Sequence, residues 1–358
     1  MNCIERVSQI KMKMAEMGVE CSVIFKPENR TYLSGFTGTS GYVVLTADET
    51  LFATDFRYQE QAAAECTGYN VKIISPDYTI FSLIRDLNVA SIGLEETFAS
   101  MSFHELLRDN LPGVTVRPIE GLIRELRMRK DKHEIELIRT ACGITDEAFA
   151  QILEYIKPGV TEREISTELQ YYMKKRGADA TPDTFIVATG ARASLPHGKA
   201  TDKPVETGDF VTLDIGCRYK GYWSDMTRTV VVGKAAEKQR EIYEIVFGAQ
   251  QKINGILRPG ITGAEADSIA REYISRAGYG REFGHGLGHG LGMEMHELPR
   301  LAQTEEGSFV LAPGMVVTNE PGIYIQGFGG VRIEDDVLIT EDGCEILCRS
   351  PKQLIELD

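Results

Sequence analysis

The chain has 358 residues and a formal net charge of −14 at pH 7. This length predicts two domains of roughly 100–200 residues each, and the acidic balance argues against a nucleic-acid partner, which would require a basic face. No apolar run approaches the roughly 20 residues of a membrane span, and the charged N-terminus is unlike a signal peptide. The seven cysteines form no C-x-x-C pair, which argues against a disulfide framework or a structural zinc site. We expect a cytoplasmic protein with neither nucleic acid nor membrane as a partner.

The first domain is predicted to span residues 1–123 and to alternate strands with helices. Runs rich in β-branched residues alternate with amphipathic runs, which is typical of a small α/β domain. The predicted strands are 22–25, 42–46, 51–54, 71–74 and 92–94, and the predicted helices are 4–17, 77–86 and 101–109. The glycine-rich stretch GFTGTSG (35–41) lacks the lysine of a phosphate-binding loop, so we interpret it as a turn or domain contact.

The second domain is predicted to span residues 124–358 and to contain an internal repeat. PGVTEREI (158–165) and PGITGAEA (259–266) lie 101 residues apart, and each has a Thr followed three residues later by Glu, the signature of a capping box. GDFVTLDIG (208–216) and GMVVTNEPG (314–322) lie 106 residues apart, which aligns Asp214 with Glu320. We therefore predict two helix–hairpin halves related by a pseudo-two-fold axis.

Each predicted hairpin carries two acidic residues. In VTLDIGCRYKGYWSDMTRTVVV (211–232), a turn centred on the YK pair would place Asp214 opposite Asp225, with Cβ atoms roughly 5 Å apart. The second half offers Glu320 and, in VRIEDDVLIT, Glu334. Bare carboxylates in this arrangement would repel, so we expect a cation between them. The alternative is that one aspartate caps the turn and the other is solvated.

Four histidines stand in turn-like, mostly glycine-rich surroundings: His197, His285, His289 and His296. The run GHGLGHGLG (284–292) has too many glycines for a helical zinc pair, and the H-E-x-x-H and G-x-S-x-G motifs are absent. One histidine with four carboxylates is an oxygen-rich donor set that suits Mn²⁺, and also Co²⁺, Fe²⁺ or Zn²⁺. Five side chains exceed the needs of one ion, so two metal ions that share bridging carboxylates are predicted.

Several motifs together resemble those of the pita-bread metallopeptidases, peptidase family M24. LDIG, SDMTRT, HGLGHGLG, TNEPG and RIED stand in order, and the similarity covers about residues 125–350. The family comprises methionine aminopeptidase, aminopeptidase P, prolidase and the metal-free creatinase. YLSGFTGTSG and TDFRYQEQA in the first domain are similar to the creatinase-type N-terminal domain of aminopeptidase P and prolidase. The resemblance implies a creatinase-type α/β domain followed by a pita-bread catalytic domain.

The resemblance also implies the metal ligands, which are Asp214, Asp225, His289, Glu320 and Glu334. Asp214 would bind one metal ion, His289 and Glu320 the other, and the remaining two acids would bridge the pair. A water held by both ions would be the nucleophile, and Glu320 would take and pass its proton.

Further residues are implied to contact the substrate. His197 would line the pocket for the proline ring, and His285 would bind substrate beside the metal ions. His296 would donate a hydrogen bond to the scissile carbonyl, and Arg332 would support the site.

The implied reaction is hydrolysis of the bond between an N-terminal residue and a following proline, as in aminopeptidase P. The alternative is a prolidase restricted to Xaa-Pro dipeptides, in which Arg57 is a candidate contact that closes the far end of the site. A non-catalytic binding protein and a metal-free, creatinase-like amidinohydrolase are further alternatives, but relatives of these kinds lack part of the ligand set that is present here. The expected partners are proline-containing peptide substrates and a second copy in a homodimer.

Overall fold

The computed structural model describes residues 2–358, which form two compact units divided between Arg127 and Met128. The domain boundary predicted after residue 123 falls within the helix Glu120–Met128 and stays a prediction. Within residues 2–358, no helix is both long and apolar enough to span a membrane.

The first unit is built on one six-stranded mixed sheet. Its strands are β1 (Cys21–Ile24), β2 (Tyr42–Thr46), β3 (Thr50–Thr54), β4 (Asn70–Ile73), β5 (Ser91–Leu94) and β6 (Thr115–Pro118). Its helices are α1 (Cys3–Met17), α2 (Pro27–Ser34), α3 (Gln59–Glu65), α4 (Ile80–Asp86), α5 (Met101–Asn110) and α6 (Glu120–Met128). The strand order is β4-β3-β2-β1-β5-β6, in which β1–β2 and β2–β3 are antiparallel and the other pairs are parallel.

All predicted strands and helices of the first domain are confirmed, with bounds that shift by up to three residues. Helix α1 begins with a capping box between Asn2 and Glu5 and ends at Gly18, whose φ of 66° suits glycine. The sequence analysis missed α2, α3 and β6. Helices α2 and α3 are only eight and seven residues long, which is too short to show a clear helical period of apolar residues. All four residues of β6 are exposed, so this strand shows no clear alternation of apolar and polar residues.

The second unit contains four helices and thirteen strands among the described residues. The helices are α7 (Lys132–Leu153), α8 (Glu162–Lys175), α9 (Glu237–Asn254) and α10 (Gly263–Arg276). The first group of strands is β7 (Ile186–Thr189), β8 (Phe210–Ile215), β9 (Arg218–Tyr219), β10 (Tyr222–Trp223) and β11 (Met226–Val232). The second group is β12 (Gly288–Gly290), β13 (Glu297–Leu301), β14 (Val316–Asn319), β15 (Gly322–Ile325), β16 (Gly329–Arg332), β17 (Asp335–Ile339), β18 (Cys344–Ile346) and β19 (Glu356–Leu357).

The predicted internal repeat is confirmed by the sheet topology. One sheet contains the order β11-β8-β7 and the other the order β17-β14-β12, so corresponding strands occupy corresponding places. Helix α7 packs on α8 in the first half, and α9 packs on α10 in the second. The predicted capping boxes begin α8 at Thr161 and Glu164 and α10 at Thr262 and Glu265. A backbone hydrogen bond of 3.1 Å from Glu334 N–H to the carbonyl oxygen of Thr227 joins the two hairpins.

The register of the first hairpin differs from the prediction by two residues. Asp214 pairs with Thr227, so the predicted facing pair of Asp214 and Asp225 is wrong. Lys220 and Gly221 have φ values of 45° and 87°, as a tight two-residue hairpin turn requires. The turn is therefore centred one residue later than predicted. Moving the centre by one residue moves the register by two, which leaves both aspartates on the same face of the hairpin.

Candidate active site and metal centre

The four predicted acids stand on the two hairpins. Asp214 lies in β8, and Asp225 immediately precedes β11. Glu320 and Glu334 lie in the breaks between β14 and β15 and between β16 and β17, and the pairing on both sides of these breaks places the two glutamates level with each other. Paired strands thus carry all four carboxylates to the centre of the unit.

One cavity of about 430 Å³ brings together all nine of the residues that the sequence analysis proposed for the site. The same cavity has apolar lining from Phe185, Ile186 and Met295. The nine residues are His197, Asp214, Asp225, His285, His289, His296, Glu320, Arg332 and Glu334. Their roles stay predictions, but their positions in space agree with a single site.

Asp225, His289 and Glu334 form a close cluster of potential metal ligands. Each offers a ligand atom within 4.8 Å of the others. The Nε2 atom of His289 lies 3.7 Å from Asp225 Oδ2 and 3.5 Å from Glu320 Oε1. Its Nδ1 atom lies 3.0 Å from the carbonyl oxygen of Gly290, which assigns the Nδ1–H tautomer and leaves Nε2 as the atom that faces the acids.

Strand β12 carries His289 into this cluster through a close backbone approach. A Cβ atom at Gly288 would lie 2.1 Å from the carbonyl oxygen of Thr318, so only glycine fits there. Burial lowers the pKa of His289 to about 3, which keeps the imidazole neutral and able to bind a metal ion.

The clustered carboxylates have raised pKa values. Burial and, next, the charge of Glu334 raise the pKa of Asp225 well above its usual value, and the same two causes raise that of Glu320. Burial and then the charge of Asp214 raise the pKa of Glu334 to about 7. Acids this close to one another carry full charge at neutral pH only when a cation compensates them. The donor set of carboxylates and one imidazole therefore fits divalent metal ions.

Arg332 is the main protein cation at the site. It is buried, and its Nη2 atom donates to Asp214 Oδ2 at 2.5 Å. Its Nε atom donates to Thr227 Oγ1 at 3.0 Å, and Thr227 in turn donates to Glu334 Oε2 at 2.5 Å. One guanidinium group thus orients an acid from each hairpin.

Tyr324 connects Arg332 to His285. Arg332 Nη1 donates to the Tyr324 hydroxyl oxygen at 2.8 Å, so the hydroxyl hydrogen is directed to His285 Nε2 at 2.9 Å. The Nδ1–H of His285 then donates to the carbonyl oxygen of Gly286 at 2.7 Å. Burial lowers the pKa of His285 to about 4. Both ring nitrogens of this neutral histidine are therefore engaged by protein groups.

The two remaining histidines border the cavity differently. The ring of His296 lies 4.2 Å from that of His289, measured between centroids. Burial and the nearby charge of Arg300 lower the pKa of His296. His197 is exposed in the segment between β7 and β8 and still lines the cavity.

Two site residues, Tyr324 and Thr227, were missed by the sequence analysis. Both lie an even number of residues from a predicted ligand, since Tyr324 follows Glu320 by four and Thr227 follows Asp225 by two. Alternate residues of an extended chain share a face. This period of two, applied to the predicted ligands, is the signal that would have found them.

The cavity is lined by clustered acids and by a neutral histidine that can bind a metal ion, and both related halves contribute to it. This arrangement is typical of metal-dependent hydrolases. Residues 136–341 match the model of Metallopeptidase family M24, and residues 6–129 match that of the Creatinase/Prolidase N-terminal domain. The chain belongs to metallopeptidase family M24. The predicted fold class, a creatinase-type domain followed by a pita-bread catalytic domain, is confirmed.

Named relatives match along almost the whole chain. The chain is 43% identical over 353 residues to the Xaa-Pro dipeptidase of Pyrococcus furiosus, which covers 98% of this chain and 99% of the relative. The solved structure of an Xaa-Pro dipeptidase from Bacillus anthracis has a TM-score of 0.96 at 42% identity and covers 99% of this chain and 100% of that chain. The X-Pro aminopeptidase from Thermotoga maritima has a TM-score of 0.89 at 36% identity, with coverages of 96% and 99%.

Proposed function

We propose that the chain is an Xaa-Pro dipeptidase, a prolidase that hydrolyses dipeptides with a C-terminal proline. The observation that carries the proposal is the convergence of four acids, His289 and three further histidines on one cavity. The sequence alone favours aminopeptidase P. The similarity to two proteins named Xaa-Pro dipeptidase supports the dipeptidase instead. The chain is also similar to an X-Pro aminopeptidase, at a lower identity of 36%, so aminopeptidase P is the second candidate.

The substrate bond explains why histidines and apolar walls are needed. An Xaa-Pro bond is a tertiary amide without an N–H group, so an enzyme must recognise the ring instead of a backbone donor. We propose that His197 and the apolar lining contact the proline ring. His285 would contribute the wall beside them, because its ring nitrogens already bind Tyr324 and Gly286.

Two divalent metal ions are part of the proposal, and the types of donor atom favour Mn²⁺. Asp214, Asp225, His289, Glu320 and Glu334 would hold them, and when bound they would activate a water molecule and polarise the scissile carbonyl group. Glu320 would accept the proton of that water and pass it to the leaving proline nitrogen. His296 would donate a hydrogen bond to the carbonyl oxygen.

A comparison of substrates tests the proposal. The metal-depleted protein is supplied with Mn²⁺ and offered Ala-Pro, Ala-Pro-Ala and, as a control without proline, Ala-Ala-Ala. A dipeptidase cleaves only Ala-Pro. Release of alanine from Ala-Pro-Ala at a comparable rate would instead establish an aminopeptidase P. Failure to cleave any of them with Mn²⁺, Co²⁺, Fe²⁺ or Zn²⁺ would contradict both and favour a non-catalytic binding protein.

Metal content and assembly are separate measurements. Elemental analysis after loading should give two Mn²⁺ ions per chain, and substitution of Asp225 by Asn should lower that number. The homodimer stays a proposal from family resemblance, and light scattering coupled to size-exclusion chromatography would measure it.

A further inference from the structure

Helix α10 holds the segment that leads to His289 through two side chains one turn apart. Asp267 is fully buried, and its Oδ1 atom accepts the N–H of Leu287 at 3.0 Å. Arg271 pairs with Asp267 at 2.9 Å and donates to the carbonyl oxygens of Phe283 and His285, both at 2.8 Å. The backbone of residues 283–287 is therefore fixed at three points by one helix.

Helix α8 does the same in the first half with neutral side chains. Ser166 is buried, and its Oγ atom accepts the N–H of Phe185 at 3.3 Å. Gln170 donates through Nε2 to the carbonyl oxygens of Pro182 at 2.7 Å and Asp183 at 2.9 Å. Both helix positions lie 101 residues before their counterparts in α10, the offset of the internal repeat.

The two held segments form walls of the cavity and connect to predicted metal ligands. Pro182, Thr184, Phe185 and Ile186 line the cavity on one segment, and His285 and Gly286 line it on the other. Ile186 pairs with Asp214 across β7 and β8. The carbonyl oxygen of Leu287 accepts the N–H of Glu320 at 2.8 Å. Each helix thus fixes a segment that contacts both the substrate space and an acid of the site.

We propose that Ser166 with Gln170, the first clamp, and Asp267 with Arg271, the second clamp, are positioning residues that set the two cavity walls for substrate binding. The clamps act through hydrogen bonds to backbone groups, and the charge of the second clamp strengthens those bonds without being needed to form them. The inference rests on the proposed function only where hydrolysis is the measurement.

The different chemistry of the clamps follows from the segments that they hold. The second segment leads into GHGLGHGLG (284–292), whose glycines have the greatest backbone freedom to lose. Charge-assisted hydrogen bonds are roughly twice as strong as neutral ones. The first segment begins at Pro182, whose φ is already restricted, and continues directly into β7, so neutral side chains suffice.

A double-variant comparison tests this proposal. Arg271→Gln leaves the buried Asp267 without its cation, and Asp267→Asn leaves Arg271 without its anion. Each single variant is expected to raise KM for Ala-Pro about tenfold, the equivalent of one or two hydrogen bonds, with Mn²⁺ content unchanged. The double variant Asp267→Asn with Arg271→Gln recreates the neutral chemistry of the first clamp and should recover to within about threefold of the unmodified protein, because coupled pairs are non-additive.

Arg276→Met is the matched control on the same helix. It removes an i,i+4 ion pair with Glu272 in which both side chains are exposed, and it should change neither KM nor kcat. A double variant no better than the poorer single variant would overturn the proposal. A fall in both kcat and metal content that accompanies the rise in KM would also overturn it, because general unfolding of the segment would produce that result.

Hydrogen exchange gives a readout that does not depend on hydrolysis. The amide of Leu287 should exchange about tenfold faster in Asp267→Ala and that of Phe185 about tenfold faster in Ser166→Ala, with each effect confined to its own segment. Unchanged exchange would contradict the clamps even in an active enzyme. Localised exchange in a protein that does not cleave Ala-Pro would retain the clamps and refute the proposed function instead.

Discussion

Two buried glutamates, one in each unit, have opposite pKa shifts. Glu120 in the first unit is 3% exposed and Glu334 in the second is 2% exposed. Glu120 accepts hydrogen bonds from the backbone N–H and the hydroxyl of Thr97 and pairs with Lys26 at 3.5 Å. Although burial raises its pKa, these partners outweigh burial and lower it. Glu334 stands among other acids, and its pKa rises to about 7.

The same contrast occurs between two residues that are adjacent in sequence. Asp335 is as buried as Glu334 but pairs with Arg228 at 2.7 Å and with Lys352 at 3.2 Å. Asp335 thus has two cations of its own. Glu334 accepts a hydrogen bond from the hydroxyl of Thr227, and the cation near it is Arg332, which it shares with the other acids. Burial of one acid is therefore no sign of function, whereas several buried acids that face one another and share one arginine point to a site.

Substitution of Glu320 by Gln should have the largest effect on the acidic cluster. Gln cannot carry a proton from water, so kcat for Ala-Pro should fall by about 10²–10⁴-fold while far-UV circular dichroism stays the same. Metal analysis on the same sample separates a lost proton carrier from a lost ligand. A fully metallated Glu320→Gln protein that retains activity would remove the proposed role.

Glu334→Gln should stabilise the metal-free protein at pH 8. The raised pKa means that the folded state holds the proton more tightly than the unfolded chain does, so the stability from this group is lost as pH rises from about 4.5 to about 7. Gln does not ionise, so urea unfolding at pH 8 should show a gain of a few kcal/mol over the unmodified protein. At pH 4 the two proteins should unfold alike.

Mn²⁺ supplies the matching control. It should stabilise the unmodified protein at pH 8, by about 2.7 kcal/mol at a concentration of 100 times its Kd, and stabilise Glu334→Gln much less. A metal-free Glu334→Gln protein that is less stable than the unmodified one at pH 8 would mean that Glu334 already has a compensating cation from the chain.

Glu120→Gln should have the opposite sign and a smaller size. The pKa of Glu120 is lowered in the folded state, so its contribution is present above the unfolded pKa and is lost as pH falls through the folded pKa. At pH 7 the variant should lose about 1.5–3 kcal/mol, the value of hydrogen bonds to a charged group. The loss should shrink in acid, and Mn²⁺ should leave it unchanged; a metal-dependent difference would contradict the comparison.

Sequence analysis predicted the parts of this contrast that depend on local pattern. The repeat follows from similar segments 101 and 106 residues apart, and the capping boxes of α8 and α10 follow from a spacing of three residues. The hairpin register was wrong because it depends on backbone dihedrals at Lys220 and Gly221 that the spacing of apolar residues does not encode. The spacing from Glu320 could have placed Tyr324 on the site's face, but its hydrogen bonds to residues eight and thirty-nine positions away could not be predicted from spacing.

The pairing of individual acids with cations was beyond the sequence for the same reason. RIEDD places Glu334 and Asp335 side by side, and nothing in that string distinguishes them. Their fates differ because successive residues of an extended chain point to opposite faces, and only one face meets Arg228, which is contributed by a different hairpin.

The smallest expected effect is that of His197→Ala. It tests whether an exposed residue that lines the cavity affects substrate binding without affecting metal binding by the acidic cluster, which we call the floor of the cavity. His197 is exposed and stands outside the cluster of Asp225, His289 and Glu334, so its loss should leave Mn²⁺ content and kcat almost unchanged. The KM for Ala-Pro should rise about tenfold, because only the contact with the proline ring is lost. His133→Ala, on the exposed surface of α7, is the control and should alter neither constant. A fall in metal content would make His197 part of the floor, and unchanged kinetics would place it outside the substrate site altogether.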